Sequence, residues 1–156
     1  MNWKHTGKTI LVLTAIVIII SLAAPHNSAP EAVPASTETG MRTIQLAGQE
    51  LRVSVVSTPE TRAKGLGGRT GLASDEGMLF AFDSDAKYMF WMKDMLFSID
   101  ILWLSDDGVV VDIRENVSPA TYPRVFTPNL PARYVLELSA GFARDNNLRF
   151  GDIVRL

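Results

Sequence analysis

The residues of this sequence best suited to chemistry are charged side chains at positions where strand alternation calls for a core. In "FSIDILWL", residues 97–104, Phe97, Ile99, Ile101 and Trp103 share one face of an extended chain, and Ser98, Asp100, Leu102 and Leu104 share the other. Asp100 therefore sits mid-strand among apolar neighbours, where a carboxylate is disfavoured unless paired. In "VVVDIREN" the same count sends Val109, Val111, Ile113 and Glu115 to one face, with Asp112 and Arg114 opposite. Glu137 in "YVLEL" lies four residues from Arg133 and hence on its face. Lys93, Asp100, Glu115, Arg133 and Glu137 are thus expected to converge in a half-buried polar pocket. Such a cluster would bind a polar ligand, hold carboxylates at shifted pKa for acid–base work, or close one end of the fold as a paired ion network. In the catalytic reading Asp100 and Glu115 are the candidate acid and base, and two carboxylates flanking a cleft invite comparison with glycosidases.

A second pattern is "KYMFWMKDM", residues 87–95, where Met89, Met92 and Met95 recur at every third position. Thioethers are soft ligands that suit Cu(I), and Trp91 would offer a cation–π face to the ion. On a strand, however, Met89 and Met92 point to opposite sides, and methionine fills gaps well against aromatic rings. Packing is the preferred reading, and no cofactor is expected. Trp91 and Trp103 serve better as stacking platforms for a polar ring, with Lys93, Asp100, Glu115 and Arg133 orienting it.

Composition removes other chemistries. The chain has no cysteine, so disulfides, thiolate metal sites and cysteine nucleophiles are excluded. Its two histidines, His5 and His26, both precede the domain, which leaves no imidazole for a Ser-His-Asp triad or a structural zinc. "GLGGRTG" is glycine-rich, but no Lys-Ser or Lys-Thr follows at P-loop spacing. It reads as a helix stop and loop, with Arg69 beside it as a cation for an anionic ligand. Setting aside residues 1–24 removes Lys4 and Lys8 and no acid, leaving 13 − 17 = −4. A mildly acidic domain without a basic run is a poor nucleic-acid binder. A polar small molecule or an envelope glycan is the expected partner.

The elements that must position these residues are mostly strands. "RTIQL" and "LRVSVVS" alternate around the turn "AGQE" and read as a hairpin. Thr58 as N-cap, Pro59 at the first helical position and Glu60 in the first turn start a short helix over about 59–66, which Gly65 and the Gly67-Gly68 pair stop. Apolar runs recur at "GMLFAF", "KYMFWM", "FSIDILWL", "GVVVDIREN", "ARYVLEL" and "DIVRL". "SDDG" joins two of them at hairpin spacing. "AGFARDNNL" suggests one or two helical turns before a Gly151-Asp152 turn. Six to eight short strands with one or two short helices describe a β-rich α+β fold, a small curled sheet or barrel.

Ahead of the domain, Lys4 and Lys8 precede "TILVLTAIVIIISLAA", 16 residues without a charge. A basic stretch followed by an apolar one is the pattern of an export signal, and Ser21-Leu22-Ala23 supplies small residues for cleavage. The run is slightly short of the ~20 residues that comfortably span a bilayer. Residues 1–24 are therefore expected to be a signal peptide or an N-terminal membrane anchor. The domain would lie outside the cytoplasm and meet a membrane only through that segment. Residues 25–40, "PHNSAPEAVPASTETG", have too little apolar surface to fold and read as a linker to a domain over 41–156.

Several stretches together resemble the DUF192 family: "RAKGLGGRTGL", "EGMLFAF", "FWMKDM", "SIDILWL", "IREN", "PARYVLEL" and the late "GD". They run in order from about Leu46 to Leu156. The resemblance implies a compact β-rich domain, often exported. The family's activity is unknown, so it implies no catalytic residues. Members usually read F-W-M-K-N-T where this chain has Phe90-Trp91-Met92-Lys93-Asp94-Met95, so Met89 and Met95 look peculiar to this chain. Ala120 stands where a cysteine commonly falls, which argues against a shared thiolate role.

Overall fold

The computed structural model describes residues 40–156. The signal or anchor expected over 1–24 and all but the last residue of the expected linker lie outside the described residues.

The first hairpin forms as its alternation dictates. Strand β1, Gly40–Leu46, pairs antiparallel with β2, Gln49–Val56, around Ala47-Gly48. Ala47 and Gly48 both have positive φ, the conformation that a two-residue hairpin turn needs. Helix α1, Pro59–Lys64, follows. The Thr58 side chain accepts from the Thr61 N–H, and the Thr61 hydroxyl accepts from the Thr58 N–H, a reciprocal cap. Gly65, at φ 49°, ends the helix.

Strand β3, Glu76–Ala86, then runs parallel to β2, so the segment carrying α1 is a crossover between them. After the two-residue β4, Phe90–Trp91, come β5, Ile99–Leu104, and β6, Val110–Val117, which pair antiparallel across the expected "SDDG" turn. The short β7, Val125–Phe126, pairs with β4. Strand β8, Ala132–Ser139, inserts between β3 and β5, and α2, Phe142–Asp145, follows it. The main sheet has the order β1-β2-β3-β8-β5-β6, and β4 and β7 form a separate ribbon.

This is the expected β-rich α+β fold, realised as a curled sheet rather than a closed barrel. The C-terminal segment joins the two sheet edges at one end: Arg155 bridges to Gln45 of β1, and Ile153 bridges to Val109 beside β6.

Both faces of the sheet are covered. Leu51, Val53, Leu79, Leu102, Leu136 and Leu138 pack on one side with Ala143 of α2, Leu148 and Val154. Met78, Phe80, Ile99, Ile101, Trp103 and Val135 pack on the other with Leu66, Met92 and Phe126. Central β5 is buried at every position, and its two faces divide as its alternation requires.

Strand β6 departs from strict alternation. Its register against β5 slips by one residue near Val111 and again near Glu115-Asn116, where Asn116 has φ 49°. Val111 and Ile113, expected on one face, therefore pack against opposite cores. A β-bulge, with two residues opposite one, is the physical reason.

Candidate functional site

A cavity of about 500 Å³ opens where α1, the loop after it, β3, the β4 segment and β8 meet. Its walls are aromatic. Phe80, Phe82, Tyr88, Phe90 and Trp91 line it, and pairwise packing orients the first four. Phe82 stacks on Tyr88 with rings 10° from parallel. Phe80 meets Phe90 edge-on at 4.9 Å, and Phe90 in turn meets buried Trp103 at 6.0 Å. Tyr88 is anchored at both ends: its hydroxyl donates to the Ser84 carbonyl at 2.6 Å, and its own carbonyl accepts from Trp103 Nε1 at 2.9 Å.

Cations border the same cavity. The Arg62 guanidinium lies 4.8 Å over the Phe82 ring and donates to the Ser57 and Ala81 carbonyls, so it braces the wall. Lys64 and Lys93 also line the cavity, and neither forms an ion pair among the described residues.

Glu137 stands at the floor. Alternation along β8 turns Val135 and Glu137 to the face that Leu66 and Met92 cover, between Met78 of β3 and Ile101 of β5. Glu137 is only 5 % exposed, and its Oε2 has no hydrogen-bonding partner among the described residues. Burial pushes its carboxyl up to about 8, so at neutral pH it is mostly a carboxylic acid. A neutral carboxyl both donates and accepts, which matches hydroxyls and carbonyls better than a carboxylate does.

Of the charged residues and tryptophans singled out from the sequence, the structure brings Trp91, Lys93 and Glu137 to this cavity and disperses the others. Asp100 is fully buried on the opposite face of the sheet. Its Oδ1 accepts from the Asn116 N–H at 2.7 Å and the Gly141 N–H at 3.1 Å, and its Oδ2 accepts from the Ala143 N–H at 2.8 Å. That carboxylate holds the β6 bulge and α2 against β5, and it does not reach solvent. Glu115 is exposed at the bulge. Arg133 shares a face with Glu137 but lies ~13 Å along the strand, where it pairs with Asp85 at 2.7 Å. The expected convergence of all five charges is therefore corrected. Three residues of β8 separate Arg133 from Glu137, and the sheet itself separates Asp100 from both.

Trp103, expected as a stacking platform, is fully buried, whereas Trp91 is 55 % exposed beside Tyr122. The methionines split as strand geometry requires: Met89 is 69 % exposed, Met92 is 1 % exposed, and Met95 is half-buried. Only Met89 and Met95 line the cavity. Arg69 lies beyond the glycine loop in a neighbouring depression.

Sequence reasoning missed Arg62, Lys64, Phe82 and Tyr88 as cavity residues. Arg62 and Lys64 read as cations in the last turn of a helix. The pairing of Phe82 with Tyr88 depends on a turn after β3 that no short pattern announces.

The DUF192 family model, described as an uncharacterized ACR, matches residues 42–156. The chain belongs to the DUF192 family. Two crystal structures resemble this DUF192 domain. One is a protein proposed to regulate transcription from Sinorhizobium meliloti 1021: it is 31% identical with a TM-score of 0.70, and the match covers 74% of this chain and 93% of that one. The other is a protein of unknown function from Novosphingobium aromaticivorans DSM 12444: it is 28% identical with a TM-score of 0.72, and the match covers 83% and 94% of the two chains. No match was found among the curated proteins.

Proposed function

We propose that this DUF192 domain is an extracytoplasmic binding module whose aromatic cavity takes a polar, saccharide-like ligand from the cell envelope. The observation that carries the reading is the buried Glu137 carboxyl, with one oxygen unpartnered among the described residues, at the floor of an aromatic-walled cavity. Burying such an oxygen without a partner costs about 1–3 kcal/mol, and a ligand hydroxyl would offset that cost. The volume of about 500 Å³ falls within the range of small-molecule sites, roughly 300–1,000 Å³. Aromatic faces with a few fixed polar groups are the means by which proteins hold sugar rings. The basic and then uncharged N-terminal sequence supports an envelope location.

Binding is better supported than hydrolysis. Among the described residues Glu137 is the one acid in the cavity wall, and glycosidases ordinarily work with two carboxyls. Regulation of transcription by direct DNA contact, one form of the role proposed for the Sinorhizobium relative, would call for a basic surface. Residues 40–156 carry 13 Lys/Arg against 15 Asp/Glu, once Lys4, Lys8, Glu31 and Glu38 are set aside.

The test is a panel of envelope monosaccharides titrated into the 15N-labelled domain. Shifts at Trp91, Lys93 and Glu137 that shrink in Trp91→Ala and Glu137→Gln support the reading. A panel without any shift at these positions would overturn it.

A further inference from the structure

A second cavity, of about 530 Å³, lies on the far side of the segment after α1 and is lined by Val56, Thr61, Gly68, Arg69 and Met78. It shares Lys64, Gly65 and Gly67 with the aromatic cavity, so the two are neighbours across one short loop. That loop, Gly65-Leu66-Gly67-Gly68, is almost bare backbone. Leu66 turns its side chain into the core at 1 % exposure, and the other three residues have none.

The bareness is enforced at all three glycines, the first being Gly65 at φ +49°. A Cβ on Gly67 would sit 3.0 Å from the Lys64 carbonyl oxygen, and Gly68 has φ +77°. The Gly68 N–H donates to the Asp94 carbonyl at 2.9 Å, which ties the loop to the Lys93-Asp94 turn and holds it low. Three cations border this path, Lys93 and Lys64 at the aromatic cavity and Arg69 at the second, and none is ion-paired among the described residues; they outnumber the one acid beside the loop, Asp94, whose Cβ lies 3.6 Å from where a Gly67 Cβ would sit.

We propose that the two cavities form one continuous site for an acidic oligosaccharide, whose ring units cross the glycine loop and whose carboxylates meet Lys64, Lys93 and Arg69. The inference rests on the saccharide reading of the aromatic cavity and adds chain length and charge to it. One unit lies against Trp91 and Tyr88 with a hydroxyl on Glu137. The next passes over Gly67-Gly68, where any side chain would stand in its way. A further unit reaches Arg69. On a domain with a net negative charge, unpaired cations along one groove select for an anionic chain, and the attraction weakens with salt.

The experiment compares tri-galacturonate, its fully methyl-esterified form and galacturonate monomer by calorimetric titration of the full domain. The free-acid trimer is expected to bind roughly tenfold or more tightly than the ester, the loss of charged hydrogen bonds setting that scale. Arg69→Gln and Gly68→Asn should each weaken the acid trimer several-fold, Asn being a residue that tolerates positive φ. Thermal melting of each variant confirms that it is folded. Equal affinity for trimer and ester would overturn the charge selection, and variants that bind the trimer as the wild type does would overturn the crossing of the loop. In either case, monomer shifts at Trp91 and Glu137 would leave the aromatic site standing. Absence of binding by all three, together with a silent monosaccharide panel, would remove both proposals.

Discussion

Glu137 and Asp100 show how one residue type takes opposite states in one sheet. Both are mid-strand acids on the central strands, and both are buried. Asp100 meets three backbone N–H groups and works as a structural acceptor. Asp100→Asn keeps the shape but turns an amide donor toward one of those N–H groups, so urea denaturation should show a loss of about 1–3 kcal/mol. Glu137 meets none and is held as the neutral acid by burial alone. Between the ordinary carboxylate range and about pH 8, the folded chain holds a proton that the unfolded chain has released. The stability that this proton contributes is complete below that range and is lost as pH rises through about 8. The steepest loss is about 1.4 kcal/mol per pH unit. Glu137→Gln should flatten that slope in denaturation series at pH 5, 7 and 9; an unchanged slope would mean that another group carries it. The two acids were legible as misplaced charges in the sequence. Their roles were not, because each depends on which backbone N–H groups the neighbouring elements aim at it.

At the scale of elements, α1 and the loop after it are short-range constructions that the sequence announced residue by residue. Thr58, Pro59, Glu60 and Gly65 all act locally, and the helix forms as expected, though it ends at Lys64. Because α1 supplies Pro59, Arg62, Ala63 and Lys64 to the cavity, its cap also sets the wall. Thr58→Ala should cost about 1 kcal/mol in urea denaturation. Faster hydrogen exchange at Arg62 and Gly65 should accompany that loss, since these N–H groups close the helix onto Thr58 and Thr61. Strand β6 is the counterexample. Its alternation gave Val111 and Ile113 a common face, and the bulge at Val111 cancelled it. A bulge is fixed by what the strand must pair with, here β5 and the Asp100 carboxylate, and neither is encoded in the strand's own pattern.

For the whole molecule, the decisive joint is the C-terminal segment. It holds β1 through paired hydrogen bonds between Gln45 and Arg155, and it holds the start of β6 through the Val154 N–H on the Gly108 carbonyl. A Cβ on Gly108 would lie 2.3 Å from the Val154 carbonyl oxygen, and its φ is +76°. Gly108→Ala should therefore lift this segment and loosen both sheet edges, costing about 2 kcal/mol or more in the denaturation midpoint. A loss below about 0.5 kcal/mol, the size of a neutral surface change, would show that the joint does not hold the sheet.

The sequence by itself determined the class of fold, the first and fifth-to-sixth strand hairpins, the short capped helix and the family. The family rests on the resemblance of stretches spread along the domain; the others follow from interactions within a few residues: alternation, turn chemistry and capping. It also removed every function that needs cysteine, or histidine within the domain. Tertiary structure alone decided the parallel pairing of β2 with β3, the insertion of β8 into the centre of the sheet, and so the cavity. Those pairings join residues more than twenty positions apart, and no local pattern records them. They place Glu137 in the cavity that α1 borders rather than beside Arg133, put Asp100 on the other face, and leave Trp91 and Lys93 lining the same cavity as that buried acid.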